Sequence, residues 1–104
     1  MAAFRHSRRA EADLLSIAQY TLRTWGEEQA IRYIDDLEAF CQMLADNPLL
    51  GRACDPIRQG LRRMQRGRHV VFYREDGEGI LISRILHRGM LPERWRMDDA
   101  DDGL

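Results

Sequence analysis

The stretch HVVFYREDGEGILISRILH, residues 69–87, decides the fold of this 104-residue chain. It reads as two strands, RHVVFYR (68–74) and ILISRILH (80–87), joined by the hairpin loop EDGEG (75–79). Both strands are rich in Val, Ile, Phe and Tyr and are almost continuously apolar. Such a composition is typical of strands at the centre of a sheet, where other elements cover much of both faces.

Segments that precede the hairpin in the sequence supply the rest of the predicted sheet. LRRMQ (61–65) reads as a strand, separated from the hairpin by a tight turn at Arg66-Gly67. Residues 49–60, LLGRACDPIRQG, are rich in turn-forming residues and are predicted to be a loop. Near the N-terminus, the residues from Ala2 to His6 are predicted to form a short edge strand.

Two amphipathic helices are predicted between the first strand and the loop. The first covers residues 8–25, with Ser7 as its N-cap, and Gly26 ends it. The second begins at Glu27 and stops near Asn47, because the proline that follows disfavours helical geometry at the residue before it. The apolar positions are Leu14, Ile17, Ala18, Leu22 and Trp25 in the first helix, and Ala30, Ile34, Leu37, Cys41 and Leu44 in the second, with Tyr33 and Phe40 alongside.

Two antiparallel helices joined at a glycine form a helical hairpin, whose apolar faces need a sheet to lie on. The order β-α-α-β-β-β therefore predicts an α+β domain in which the helical hairpin packs on a small antiparallel sheet. Residues 1–97 are expected to form this single domain, and the acidic tail 98–104 is expected to be disordered.

Composition and patterning exclude several classes of protein. A hydrophobic content of 44% and a charged content of 32% describe a soluble globular protein. No apolar run approaches the ~20 residues of a membrane span, and the charged N-terminus lacks the apolar middle of a signal peptide, so a cytoplasmic location is predicted. Cys41 and Cys54 have no metal-like spacing and are expected to be ordinary thiols. Neither a metal nor another cofactor is predicted.

Charge is strongly segregated behind a net charge of −1. Residues 1–50 hold five arginines and eight acids, residues 51–96 hold eleven and five, and residues 97–104 hold no base and four acids. Every basic residue is an arginine, which excludes a lysine general base and a lysine phosphate clamp. Direct sequence-specific nucleic-acid binding is not expected, because acids elsewhere in the chain offset the basic half.

Four strings, in this order and spacing, resemble the ParE branch of the RelE/ParE toxin superfamily. They cover most of residues 11–92. The strings are EADLLSIAQYTLRTWGEEQAIRYIDDL (11–37), LADNPLLGR (44–52), GLRRMQRGRHVVFYR (60–74) and ILISRILHRGMLP (80–92).

The resemblance implies the toxin of a type II toxin–antitoxin module. Toxins of the ParE type stall DNA gyrase with its DNA broken and are neutralised by a ParD-like antitoxin, which has a DNA-binding end and a flexible end that wraps the toxin. The RelE branch shares the fold but cleaves messenger RNA on the ribosome, which makes an endoribonuclease the first alternative. A relic that binds its antitoxin but has lost toxicity is the second.

The two histidines of the hairpin decide between an enzyme and a binding protein. A metal-free ribonuclease needs a base, an acid and cations around the developing phosphorane. If this were a nuclease, His69 and His87 would supply the base and acid, because the hairpin brings them near each other, and Arg84 would hold phosphate. However, the sheet has no lysine and the region after His87 has no tyrosine. We therefore predict a protein that acts by binding, without catalytic residues.

Three sets of residues are predicted to contact partners. Arg62, Arg63 and Arg74 form a positive surface suited to an acidic antitoxin segment. Trp25, Tyr33 and Phe40 are expected in the core, yet part of the surface of the helical hairpin, with Trp25 and Tyr33, is the predicted seat of an amphipathic antitoxin helix. Met90, Trp95 and Arg96, after the last strand, are predicted to contact the target.

Overall fold

The computed structural model describes residues 2–77 and 79–90. None of the helices within these ranges is long and apolar enough to cross a membrane. The elements are β1 (Ala3–His6), α1 (Arg8–Trp25), α2 (Glu27–Asp46), β2 (Arg52–Ala53), β3 (Arg62–Arg66), β4 (His69–Asp76), β5 (Gly79–His87) and a single 3₁₀ turn (Arg88–Met90).

The five strands form one sheet in the order β1-β5-β4-β3-β2, with the helical hairpin packed on it. The predicted α+β class and the order of the main elements are confirmed, and β4 and β5 lie at the centre. The expectation of a wholly antiparallel sheet is wrong, because β1 pairs with β5 in parallel. The predicted loop 49–60 also contains a strand, β2, whose two residues pair with β3.

The hairpin strands are longer than predicted. Pairing runs from His69 opposite His87 to Asp76 opposite Gly79, so that residues 75, 76 and 79 belong to strands and not to the loop. A register shift between Phe72 and Tyr73 accommodates an extra residue on β5. The preceding turn falls at residues 67 and 68, one position later than expected, since Arg66 still pairs with His69.

β1 enters along the free edge of β5 and approaches it closely. A side chain at Gly79 would collide with the backbone carbonyl of Ala3, so the pairing requires glycine at this position. Ser7 then links the strand to α1. Its hydroxyl accepts from Ala10 N (3.0 Å), which confirms the predicted N-cap, and donates to the carbonyl of Ser83 on β5 (2.8 Å). The start of α1 is thereby fixed to the sheet.

α1 faces the sheet with a different stripe from the one predicted. Its buried residues are Ala10, Ile17 and Thr21, whereas Leu22 and Trp25 are 49% and 60% exposed. The assignment of Trp25 to the core was therefore wrong. The physical reason is that α1 carries a second apolar stripe, rotated to one side of the buried stripe, and the spacing alone does not tell which one meets the sheet. The expectation for Phe40, which is buried, is confirmed, and Tyr33 is half-buried.

Each face of the sheet has its own core. On the helical side, α1 and α2 pack against Val71, Tyr73 and the isoleucines of β5. On the outer side, Val70 and Phe72 pack with Cys54 and Leu61 from the connection that covers that face. Cys41 and Cys54 are both buried and free. Burial raises the pKa of the Cys41 thiol to about 12, which makes it an unreactive thiol at neutral pH.

Tyr73 anchors the chain where it leaves α2. Its buried hydroxyl donates to the carbonyl of Pro48 (2.9 Å) and accepts from Gly51 N (2.7 Å). Arg62 completes this anchor, donating to the carbonyls of Gly51 (2.6 Å) and Leu49 (3.4 Å). A side chain at Gly51 would overlap the tyrosine ring, so this connection depends on both residues.

This anchor generates a prediction about stability. Tyr73→Phe removes the hydroxyl and leaves the buried Gly51 N–H without its partner, which should lower the free energy of unfolding by about 1–3 kcal/mol. Urea denaturation measures the loss. Tyr20→Phe, at an exposed tyrosine of α1, is the matched control and should change stability little. Equal effects of the two substitutions would contradict the anchoring role.

Candidate functional site

His69 and His87 meet at the end of the central strand pair, as expected from the hairpin. They are direct cross-strand partners, and their rings contact edge to face with centroids 5.3 Å apart. His69 is buried, with 8% of its surface exposed, and His87 is half-buried. His87 Nδ1 accepts a hydrogen bond from Gly89 N (3.0 Å), so the proton of the neutral ring lies on Nε2.

Tyr33 of α2 completes the cluster around His69. Its hydroxyl lies 2.6 Å from His69 Nδ1 and accepts from the backbone N–H of Arg68 (3.3 Å), which leaves its own proton directed at the histidine. Burial raises the pKa of Tyr33, so the hydroxyl stays protonated at neutral pH. Burial, and then the nearby charge of His87, lower the pKa of His69 to about 4. At neutral pH His69 is therefore an uncharged acceptor.

Arg84 is held by Asp13 of α1. The guanidinium donates through Nε to Oδ2 (2.8 Å) and through Nη2 to Oδ1 (3.0 Å), and Oδ2 also accepts from Ile85 N (2.9 Å). Both side chains are mostly buried, at 20% and 15% exposed. The hydrogen bond to Asp13 raises the pKa of Arg84. The pair joins α1 to β5, and the carboxylate neutralises the arginine that a nuclease would use to hold phosphate.

An open cleft of about 570 Å³ lies beside the histidines, and we call it the histidine cleft. Asp13, Ser16 and Tyr20 of α1 line it together with His69, His87 and apolar side chains of α1 and β5. Among the described residues that line it, Asp13 is the only acidic residue and none is an arginine. The histidine cleft is thus an apolar and weakly polar surface that does not attract phosphate.

A second depression of about 780 Å³ lies on the side of the sheet near the end of β5. We call it the arginine groove, defined by Arg52, Arg63 and Arg88 together with Leu50, Val70 and Gly89. Arg52 and Arg63 are direct partners across β2 and β3. None of the described residues that line the groove is acidic. The groove therefore concentrates positive charge above an apolar floor.

The structure separates the arginines that the sequence grouped. Arg63 lies in the arginine groove, whereas Arg62 donates to the carbonyls of the connection after α2. Arg74 is half-buried on β4, opposite Leu81. Arg63 is instead joined by Arg52 and Arg88, which sequence reasoning missed. The pairing of β2 brings Arg52 there, and a strand of two residues leaves no periodic signal.

The second apolar stripe of α1 is exposed. Leu15, Ala18, Leu22 and Trp25 recur at the spacing i, i+3, i+7 and i+10, which places them along one side of the helix. Leu15 and Trp25 are each 60% exposed and Leu22 is 49% exposed. Contiguous exposed apolar side chains of this size typically mark a protein–protein contact. We call these four residues the α1 stripe.

Some predicted contacts fall at or beyond the end of the described chain. Met90 ends the 3₁₀ turn that follows β5. Trp95, Arg96 and the tail 98–104 lie outside the described residues.

Sequence reasoning also missed Asp13. It lies one turn before Ile17 on the buried side of α1, and a carboxylate in such a position needs a cationic partner. Within residues 2–77 and 79–90, no three His, Cys, Asp or Glu side chains are grouped as metal ligands.

Comparisons with known proteins agree on one family. Residues 4–92 match the family model described as the ParE toxin of the type II toxin–antitoxin system, parDE. The chain is 44% identical over 90 residues to Toxin ParE1 of Caulobacter vibrioides, covering 86% of this chain and 93% of that protein. It is 42% identical over 86 residues to Toxin ParE1 of Mycobacterium tuberculosis, covering 82% and 88%.

A solved structure shares the fold. A chain of the chromosomal ParDE toxin–antitoxin system from P. aeruginosa superposes with a TM-score of 0.68 at 27% sequence identity. The match covers 84% of this chain and 96% of that one.

The burial of His69 leads to a prediction about the pH at which it binds a proton. The folded protein binds a proton on His69 only near pH 4, whereas the unfolded chain binds it near pH 6.5, so protonation of this residue favours the unfolded chain. The free energy of unfolding is therefore expected to fall as the pH falls from about 6.5 to about 4. In an NMR titration, the ring protons of His69 should shift with a midpoint near pH 4.

The matched variant for this titration is His87→Gln. It removes the charge that disfavours protonation of the neighbouring ring, so the midpoint of His69 should move upward. A midpoint near 6.5 in the unaltered protein would show that His69 is hydrated and that the cluster with Tyr33 does not form in solution.

Proposed function

The chain belongs to the ParE toxin family of type II toxin–antitoxin systems, and on that premise we propose that it inhibits DNA gyrase by binding, without chemistry of its own, in the bacterial cytoplasm. We further propose that a ParD-like antitoxin neutralises it. The similarity to a chain of a ParDE system supports a partner of this kind. The observation that carries the proposal is the pairing of Arg84 with Asp13 beside the two histidines.

The chemistry of the histidine cleft favours binding over ribonuclease activity. Cleavage of RNA develops negative charge on phosphorus oxygens, which an enzyme stabilises with cations and hydrogen-bond donors already in place. Beside this cleft Arg84 donates hydrogen bonds to Asp13, and a phosphate in the cleft would meet that carboxylate. His69 is buried and holds a proton only near pH 4, which makes it a weak base.

The α1 stripe is the part of the helical hairpin best suited to an antitoxin helix. An amphipathic helix binds through apolar residues at spacings of three and four, and the α1 stripe presents a complementary row. Trp25 is its largest side chain, and tryptophan is enriched among the residues that dominate binding energy. Tyr33 contributes less to this proposal, because its hydroxyl is engaged with His69.

Charged contacts are proposed for other parts of the surface. An acidic segment of the antitoxin would contact Arg63 and Arg74. Arg62 would contribute indirectly, because its guanidinium holds the connection between α2 and β2 in place. The target contact is proposed for the region after β5, with Met90, Trp95 and Arg96, of which the last two lie outside the described residues.

A gyrase assay tests the proposed function. Purified gyrase is incubated with relaxed plasmid and ATP, first with this protein and then with its antitoxin. We expect loss of supercoiling and accumulation of cleaved DNA, both reversed by the antitoxin. Unaffected gyrase together with cleavage of a translated message would establish the ribonuclease instead. Unaffected gyrase, no cleavage and tight binding of the antitoxin would identify a non-toxic relic.

The histidines supply a prediction that separates binding from catalysis. His69→Gln with His87→Gln removes both imidazole rings from the histidine cleft. We expect the double variant to inhibit growth and gyrase as the unaltered protein does, provided that circular dichroism shows a folded protein. A folded variant that has lost toxicity would contradict binding without chemistry.

The α1 stripe supplies a prediction about the antitoxin. Trp25→Ala should weaken antitoxin binding by about 2 kcal/mol or more, as at an interface hot spot. Because the side chain is 60% exposed, the free energy of unfolding should change little. Tyr20→Ala, at another exposed aromatic of α1 that is outside the stripe, is the control and should retain affinity. Isothermal titration calorimetry measures the affinity of each variant for the antitoxin. Equal affinities of the two variants would contradict the assignment of the α1 stripe to the antitoxin helix.

A further inference from the structure

The histidine cleft contains two hydrogen-bond donors for which the described residues supply no acceptor. Tyr33 donates to Nδ1 of His69, and Gly89 N donates to Nδ1 of His87, so each neutral ring carries its proton on Nε2. Within residues 2–77 and 79–90, neither Nε2–H group donates a hydrogen bond. His69 is only 8% exposed and still lines the cleft. A donor that is buried to this extent favours an acceptor placed in the cleft.

The rest of the cleft wall indicates the chemistry of an occupant. Ile17, Ile85 and Leu86 supply apolar surface, and Ser16 and Tyr20 supply hydroxyl groups on the α1 side. The volume of about 570 Å³ is typical of ligand pockets. A fitting occupant combines an apolar side chain with oxygen acceptors. An extended peptide segment has both, because no helix uses its backbone carbonyls.

The described part of the chain ends beside this cleft. Gly89 lies against the ring of His87, since its N–H is 3.0 Å from Nδ1 and a Cβ at this position would lie 3.3 Å from the same ring. The 3₁₀ turn Arg88–Met90 therefore holds the chain against a residue that lines the cleft. The next seven residues of the sequence, 91–97, are LPERWRM.

Segment 91–97 has the composition that the cleft requires. Its apolar residues are Leu91, Trp95 and Met97. Pro92 disfavours helical geometry at the residue before it, which favours an extended backbone with free carbonyls. The five residue steps from Met90 to Trp95 span at most roughly 17 Å when extended. Because the chain starts beside the cleft, this length is sufficient for the indole to enter it.

From these observations we infer that segment 91–97 docks into the histidine cleft of its own chain, with the indole of Trp95 against Ile17 and Ile85. Backbone carbonyls of the segment accept hydrogen bonds from the Nε2–H groups of His69 and His87. This inference concerns the isolated chain and stands independently of the gyrase proposal. A target that uses Trp95, as proposed above, would have to draw the indole out of the cleft.

The energetics of a tethered segment make this contact attainable. A short connection keeps the segment at an effective concentration in the millimolar range, so an intrinsic dissociation constant of ~1 mM is enough for substantial occupancy. A tryptophan side chain offers about 150–250 Å² of surface for burial, most of it apolar. The contact is therefore expected to persist at high salt, where the screening length of about 3 Å at 1 M weakens contacts between exposed charges.

Tryptophan fluorescence tests the docking in the full chain. The chain has two tryptophans, so Trp25→Phe leaves Trp95 as the only one. In the folded variant we expect emission at a shorter wavelength than in urea, and an acrylamide quenching constant several times smaller. A quenching constant close to the value in urea would overturn the inference. Protection that is lost on dilution would also overturn it, because it would indicate docking between copies.

A matched pair of variants in the Trp25→Phe background locates the site. Ser16→Tyr fills the histidine cleft from α1, whereas Gln19→Tyr places the same side chain at another exposed position of α1 that does not line the cleft. Ser16→Tyr should raise the quenching constant of Trp95 to near its value in urea, and Gln19→Tyr should leave it unchanged. Protection that survives Ser16→Tyr in a folded protein would place the segment elsewhere and refute the docking.

Methyl NMR supplies a second readout that leaves the cleft wall intact. Trp95→Ala removes the ring current of the indole, so the methyl signals of Ile17 and Ile85 should shift. The methyl signals of Ile31, which is exposed on α2, and of Ile57, which packs on the outer side of the sheet, should stay in place. Unshifted signals of Ile17 and Ile85 would contradict the inference even if Trp95 were protected from acrylamide.

Discussion

The structure depends on the pairing of β4 with β5. These two strands pair from Asp76 opposite Gly79 to His69 opposite His87 at the centre of the sheet, and the other elements attach to them directly or through β3. β1 joins the free edge of β5 through the glycine at position 79, and β3 joins the other side of the pair. The helical hairpin covers one face, and the connection between β2 and β3 covers part of the other.

The same strand pair positions the side chains of the candidate site. Its register places the two histidines opposite each other, its buried environment keeps His69 uncharged at neutral pH, and its packing against α1 brings Arg84 to Asp13. Beside the histidines, the arginine of β5 is neutralised by the aspartate of α1. Arg84 and His69, whose types would suit a nuclease, thus have structural contacts in this protein.

Patterns with many repeats were predictable from the sequence, and contacts between distant segments were not. Apolar spacing predicts the two helices, residues 8–25 and 27–46, and the two central strands. The ends of the helices are predicted from the N-capping hydroxyl of Ser7 and from Pro48. The face of α1 that meets the sheet did not follow, because two apolar stripes compete and only packing selects between them. β2 has two residues and hence no periodicity. The pairing of Asp13 with Arg84 joins residues 71 positions apart and leaves no local trace.

We propose that the α1 stripe receives an antitoxin helix, that Arg63 and Arg74 meet acidic antitoxin segments and that the histidine cluster stabilises the fold. The central proposal is that the protein inhibits its target by binding to it. The most direct test is to titrate gyrase with the protein and to measure supercoiling at several incubation times. The account predicts inhibition that grows in proportion to added protein, reaches a plateau near one toxin per binding site and does not increase with time. Complete inhibition by far less than stoichiometric protein, progressing with time, would contradict it.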